Sequence, residues 1–256
     1  MKSLRKNTTA RVAVSLAAVG VAALTSQVSS AQPRVALQFK APSAAAAVAA
    51  LKPAVQPAIR FAAPVVAKAG TEAALRSAIK FETVRWGGKP VQTLDEGSRI
   101  LLAKAAAEKA GLGEVGLDYN DVYGVIEAET SWIQRTGSSK NGTPNLGLAQ
   151  FEPRTAKAMG LDDPQDPVQA VFAAAKYMKL GAQWASPRIG HLKSDPALYA
   201  AKLREGVSVH YNLSIKGRNK WTGLNTAQLP VETQRHIRNA ALGAKEAVEL
   251  ARLIKV

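Results

Sequence analysis

Glu129 is where the chemistry of this sequence is expected to sit. In the run Asp121-Val-Tyr-Gly-Val-Ile-Glu-Ala-Glu-Thr-Ser-Trp-Ile133, apolar residues at 122, 125, 126, 132 and 133 recur at helical spacing and form one stripe. At about 100° per residue Glu129 falls inside that stripe, roughly 20° from Val122, whereas Glu127 lies roughly 140° away and is expected to face water. A carboxyl group among Val125, Ile126, Trp132 and Ile133 loses hydration, which favours its neutral form and raises its pKa. That is what a general acid working near neutral pH requires. A buried glutamate bonded to a base or to backbone amides fits the same pattern, so the helix alone leaves both readings open.

A second group of polar residues follows. Gly137 to Asn145 is a loop of small and turn-forming residues that runs into Gly147-Leu148-Ala149-Gln150-Phe151-Glu152-Pro153. Pro153 can open a short helix that Gly160 ends, which leaves Gln150 just ahead of it. Its amide can donate and accept, so it suits an N-acetyl or hydroxyl group of a sugar, or it ties the loop down. Other chemistry is excluded by composition. There is no cysteine, hence no disulfide, thiolate nucleophile or Cys-based zinc site, and His191, His210 and His236 are too far apart for a metal-ligand spacing. No metal and no cofactor are expected. Gly111 to Gly116 satisfies GxGxxG, yet it follows a predicted helix instead of a strand and reads as a helix stop and a turn.

Four blocks, in order, resemble the soluble-lytic-transglycosylase-like catalytic domains, relatives of goose-type lysozyme. The family's Glu-Ser-x-aromatic is similar to Glu129-Thr130-Ser131-Trp132. Its Gly-Leu-Met-Gln, followed by Pro-x-Thr-Ala and Gly, resembles Gly147-Leu148-Ala149-Gln150 with Pro153, Thr155, Ala156 and Gly160. A helix written Pro-x-x-Asn-Ile-x-x-Gly-x-x-Tyr-Leu corresponds to Pro167, Ala170, Val171, Ala174, Tyr177 and Met178, and the family's Tyr-Asn to Tyr211-Asn212. The resemblance implies a lysozyme-like helical domain with a cleft for peptidoglycan glycan strands. It implies Glu129 as the catalytic carboxylate, acid first and then base, closing the 6-hydroxyl of N-acetylmuramic acid onto C1 without water. Thr130, Ser131, Gln150, Tyr177, Tyr211 and Asn212 would contact substrate or shape the cleft, with Tyr211 hydrogen-bonded to Glu129. Thr130, Ala149, Ala170 and Ser214 depart from the family's usual Ser, Met, Asn and Gly.

These residues need elements to hold them, and the chain reads as mainly α. Thr93-Leu94-Asp95-Glu96 has capping-box spacing for a helix that stops at Gly111. Asp166-Pro167 opens another, with Val168, Val171, Phe172, Ala175 and Met178 on one face and Gly181 after it. A third should run from Val231 to Ile254 on a face of Ile237, Ala241, Ala244, Val248 and Ala251 or Leu250. Residues 117–256 are therefore expected to form the catalytic domain and 71–116 an N-terminal helical extension.

Charge divides the rest. The 256 residues carry 34 Lys and Arg against 19 Asp and Glu, a net +15. Nine of those bases and none of the acids precede residue 71, so the remainder holds 25 bases against 19 acids, or +6. Residues 1–31 read as a secretory signal: Lys2, Arg5, Lys6 and Arg11, an apolar run from Val12 to Leu24, and small residues at Ser29 and Ala31. The run falls short of the roughly 20 apolar residues that a membrane span needs, so no stable insertion is expected after cleavage. Residues 32–70 hold 14 Ala, five Pro and five bases without an acid, an extended basic linker. The signal implies export to the periplasm or cell wall, the resemblance implies peptidoglycan and not nucleic acid as partner, and a monomer is expected. Alternatives are a lysozyme-like hydrolase that lets water attack, and a wall-binding protein without activity.

Overall fold

Aspartate carboxylates open four of the helices that build the core, in a computed structural model that describes residues 72–139 and 141–254. The expected signal and linker lie outside the described residues. In chain order the elements are α1 (Glu72–Ala78), β1 (Phe81–Trp86), β2 (Lys89–Leu94), α2 (Glu96–Ala110), α3 (Tyr119–Thr130), β3 (Gly137–Ser138), β4 (Pro144–Asn145), α4 (Pro153–Met159), α5 (Pro167–Ala185), α6 (Pro196–Asn212), α7 (Ile215–Arg218) and α8 (Val231–Leu253). Asp95, Asp118, Asp166 and Asp195 accept from backbone N–H groups in the first turns of α2, α3, α5 and α6, at 2.7 to 3.0 Å. Each bond satisfies a donor that the helix itself leaves orphaned.

The fold is mostly helical, as expected. α3 lies inside it, packed on α2, α5 and α8, with Val122, Tyr123 and Ile126 fully buried. Val168, Val171 and Met178 of α5 and Leu203, Val207 and Val209 of α6 complete the core around it. Gly111 takes the left-handed conformation (φ 65°) that ends α2 and leads into a single turn over Leu112–Val115, so the GxGxxG match is a helix stop.

Several elements differ from expectation. Residues 81–94 form an antiparallel β-hairpin in which Val84 faces Val91, turning at Gly87 and Gly88, both with positive φ. Most of the hairpin is exposed, so it lacks the inside-outside alternation that marks a strand, and only its end at Thr93 and Leu94 is buried. Asp95, not Thr93, caps α2. The Thr93 hydroxyl instead donates to the Trp132 carbonyl at 2.7 Å and pins the hairpin to the segment after α3. α5 continues through Gly181, where an added Cβ would stand 3.3 Å from the His210 Cβ, so this glycine admits α6 and stops nothing. α8 has the expected length but a rotated face. It buries Thr233, His236, Gly243, Ala247 and Ala251, while Ala241 and Val248 are exposed.

Candidate active site

The contact between α3 and α8 fixes the position of Glu129. Backbones meet there: a Cβ added at Gly124 would fall on the Ala240 carbonyl, and one at Gly243 would stand 3.0 Å from the Gly124 Cα. Helices this close bring short side chains within reach of one another. At the last turn of α3 the Glu129 carboxyl meets α8, and His236 Nε2 lies 2.9 Å from Glu129 Oε1. His236 is buried, and the Glu129 side chain keeps 15% of its surface exposed. Among the described residues the second carboxyl oxygen, Oε2, takes no hydrogen bond.

Backbone strain gathers around this pair. Ser131 (φ 51°), Trp132 (φ 59°) and Gln150 (φ 49°) are the non-glycine residues with left-handed backbone among the described residues. Such conformations cost about 1 to 2 kcal/mol each for L-residues and persist where the surroundings over-determine them, often at functional sites. Here the surroundings are explicit. Trp132 is buried with its ring 5.2 Å from that of Tyr123, and its carbonyl takes the Thr93 bond. Arg135 folds back to donate to the Glu129 carbonyl, which supplies both a cap and a cation at the C-terminus of α3. Gln150 Nε2 donates to the carbonyls of Arg135 at 2.9 Å and Gly147 at 2.7 Å. Gly147 (φ 65°) has no room for a side chain, because a Cβ would fall on the Pro164 carbonyl.

The residues expected to contact substrate divide accordingly. Thr130 is buried, and its hydroxyl lies 3.2 Å from the Ile126 carbonyl and 3.3 Å from that of Leu148, so it ties α3 to the 147–150 loop and offers nothing to a ligand. Ser131 caps α3 with its own backbone N–H, which donates to the Glu127 carbonyl. Gln150 has committed its donors to the loop, which leaves Oε1, beside Gly137, as its free function. Tyr211 does not hydrogen-bond Glu129. Its hydroxyl donates to the Ala149 carbonyl at 2.9 Å and its ring stacks on His236, with centroids 6.0 Å apart. Burial, the Glu129 charge and Tyr177 all push the Tyr211 phenol upward, so it stays a proton-bearing donor. Tyr177 packs edge-on to Tyr211 at 5.3 Å and joins the site through that ring. Asn212 accepts from the Thr233 hydroxyl at 2.7 Å.

Glu127 is half-buried and does not face water freely. It lies in the seam with α8, where burial and then the Glu246 carboxylate raise its pKa against the Ser131 hydroxyl and Arg99. The desolvated carboxyl on the hydrophilic side of the wheel is thus a consequence of the Gly124–Gly243 crossing. His236 is the site residue that sequence reasoning missed. Its signal was a histidine three residues after Thr233 and seven before Gly243, on a face of small residues that hydropathy does not register.

Comparison with known proteins locates the family resemblance. Membrane-bound lytic murein transglycosylase F of Cellvibrio japonicus (strain Ueda107) is 30% identical over 74 residues, which is 29% of this chain and 14% of that protein. The chain thus matches a small part of that relative's length. No solved structure matches. The family model described as the transglycosylase SLT domain matches residues 106–186, from the end of α2 to the end of α5. In the stretch that carries Glu129, Gln150 and Tyr177, this chain is similar to the transglycosylase SLT domain, the family that its motif blocks resemble.

Proposed function

We propose that this protein is a lytic transglycosylase that cleaves the β-1,4 bond between N-acetylmuramic acid and N-acetylglucosamine in peptidoglycan. The observation that carries this reading is the Glu129 carboxyl, held at Oε1 by His236 and open at Oε2 beside a strained turn. Protonated Glu129 gives its proton to the glycosidic oxygen as the bond to C1 breaks. The resulting carboxylate takes the proton of the same sugar's 6-hydroxyl as that oxygen bonds to C1. The proton count returns to its start, and a 1,6-anhydro end is left. In this reading Gln150 Oε1 would accept from a sugar amide or hydroxyl, while the Tyr211 and Tyr177 rings pack behind the His236 side of the pair. The signal-like residues 1–31 suit export, and the basic segment 32–70 suits retention near an anionic wall polymer.

Mass analysis of products from purified sacculi tests the reading. Soluble muropeptides with 1,6-anhydro ends are expected, and Glu129→Gln should lower the rate by at least about 10²-fold, the usual worth of a general acid. Products that have gained water would make the protein a hydrolase, and sedimentation with sacculi without any product would make it a wall-binding protein.

A further inference from the structure

We infer that His236 is a positioning residue for Glu129, a neutral imidazole whose Nε2–H holds Oε1 so that Oε2 alone carries the moving proton. This rests on the reading of Glu129 as acid and base. His236 lies outside the 106–186 match, on a helix that the family model does not reach.

The ring's surroundings select the tautomer. His236 Nδ1 is buried and faces no protein acceptor among the described residues. A proton there would strand a buried N–H donor, and an imidazolium would strand one on a charged ring. With the proton on Nε2 only a lone pair goes unpaired, the smallest of the three costs. Nε2 then donates to Oε1 throughout the reaction. While Glu129 is protonated at Oε2, Oε1 is a carbonyl oxygen and the bond is an ordinary one. As the proton leaves, negative charge reaches Oε1 and the bond becomes charge-assisted, shorter and stronger. A donor aimed in advance at developing charge acts in the transition state more than in the ground state. His236 gives up no proton at any step.

Packing on α6 and α8 orients the donor. Tyr211 stacks on the ring at 19° to its plane, its hydroxyl fixed on the Ala149 carbonyl. One turn earlier, Thr233 is anchored to Asn212. Tyr211 and Asn212 therefore reach Glu129 through α8 and not directly. The Gly124–Gly243 crossing brings the two helices close enough for a 2.9 Å bond.

The test compares His236→Phe, which keeps a ring against Tyr211 without the donor, with His236→Gln, whose amide can place an N–H near the Nε2 position. With solubilised glycan strands, the Phe variant should lose on the order of 10²-fold in kcat with little change in KM, and the Gln variant should recover about tenfold of that loss. A Phe variant that keeps kcat within about threefold of the parent, or a folded Gln variant no faster than Phe, overturns the proposal. Nitrogen NMR of the folded parent gives a second readout that needs no activity. It should show His236 protonated at Nε2 and bare at Nδ1, with the Nε2 signal moved by Glu129→Gln. A proton on Nδ1, or an Nε2 signal indifferent to that substitution, overturns it as well. A parent that releases no anhydro product sinks the transglycosylase reading, while the NMR result still decides whether the pair exists.

Discussion

Thr233 and Asn212 join the start of α8 to the end of α6, the threonine hydroxyl donating to Asn212 Oδ1 at 2.7 Å. Thr233 is fully buried, so its hydroxyl has few other partners. This bond fixes the register of α8 where His236, one turn later, meets Glu129. Thr233→Val keeps the shape and removes the donor, and should cost about 1 kcal/mol in denaturant unfolding, the net worth of one hydrogen bond. Activity should fall with it. Because the two residues act through one bond, Thr233→Val combined with Asn212→Ala should be little worse than the more damaging single change. Simple additivity in the double-mutant cycle would show that Asn212 acts elsewhere.

The glycine crossing makes a sharper prediction. At Gly124 an added methyl meets backbone, the Ala240 carbonyl, and no rotamer change relieves that. Gly124→Ala should force α3 and α8 apart at a cost of about 1 to 3 kcal/mol, beyond the roughly 1 kcal/mol that alanine gains in a helix. Activity should drop more than stability does, since separation breaks the Glu129–His236 bond first. Gly243→Ala, whose Cβ would be 2.9 Å from the Glu127 Cβ, should behave in the same direction. Gly113→Ala, with nothing within 4 Å of the new Cβ, is the control and should change neither the unfolding midpoint nor kcat.

This crossing also explains what was legible in the sequence. The start of α5 was visible because Asp166 announces itself as an acceptor before Pro167, and Glu129 stood out against an apolar stripe, whereas Asp118, which reads in sequence as part of a turn and not as a helix start, in fact caps α3. The wheel of α3 nevertheless put Glu127 in water, because it ranked faces by apolar side chains and α8 docks on a glycine. The face of α8 was rotated for the same reason: its seam is Thr233, His236, Gly243 and Ala247, small or polar, while Val248 is left exposed. Close backbone approach uses residues that carry no hydropathy signal. The hairpin escaped because strands are recognised by a buried face, and this one is held chiefly at Thr93 and Leu94. Tyr211 and Asn212 were found, but the His236 ring and the Thr233 hydroxyl that they meet lie on α8, and no spacing within the motif blocks reveals those two contacts.

Gln150 combines strain with two hydrogen bonds, and substitution can separate them. Gln150→Ala keeps a side chain at φ 49° and loses both bonds, so it should cost about 1 to 3 kcal/mol. Gln150→Gly loses the same bonds but relaxes a conformation that favours glycine by about 1 kcal/mol. The glycine variant should therefore unfold at higher temperature than the alanine variant, an inversion of the usual order. Both should release muropeptides more slowly if Gln150 contacts the sugar as proposed, because the loop that carries it is untied. Equal activity of the parent and both variants would remove Gln150 from the site.

His210 predicts how the fold responds to acid. It is buried, with Tyr177 and Trp184 ring centroids 4.7 and 5.7 Å away and Gly181 against its Cβ. Burial, then Arg218 and Arg188, hold its pKa down to about 4. In the unfolded chain the same imidazole titrates near 6.5, so between about pH 6.5 and 4 the unfolded state binds a proton that the native state refuses. Stability should fall as pH drops through that window, by about 3 kcal/mol in all, and level off below it. Glu127 and Asp121, both raised by burial, bind protons sooner in the native state and act in the opposite sense. The parent curve therefore mixes these contributions, and the difference from a variant isolates the histidine. His210→Phe preserves an aromatic ring between Tyr177 and Trp184 and has nothing to titrate. Urea midpoints measured from pH 7.5 to 4 should draw apart steadily, the parent losing ground to the variant as pH falls. Parallel curves would mean that His210 is charged in the native state or reaches solvent, and that its burial against two arginines carries no acid sensitivity.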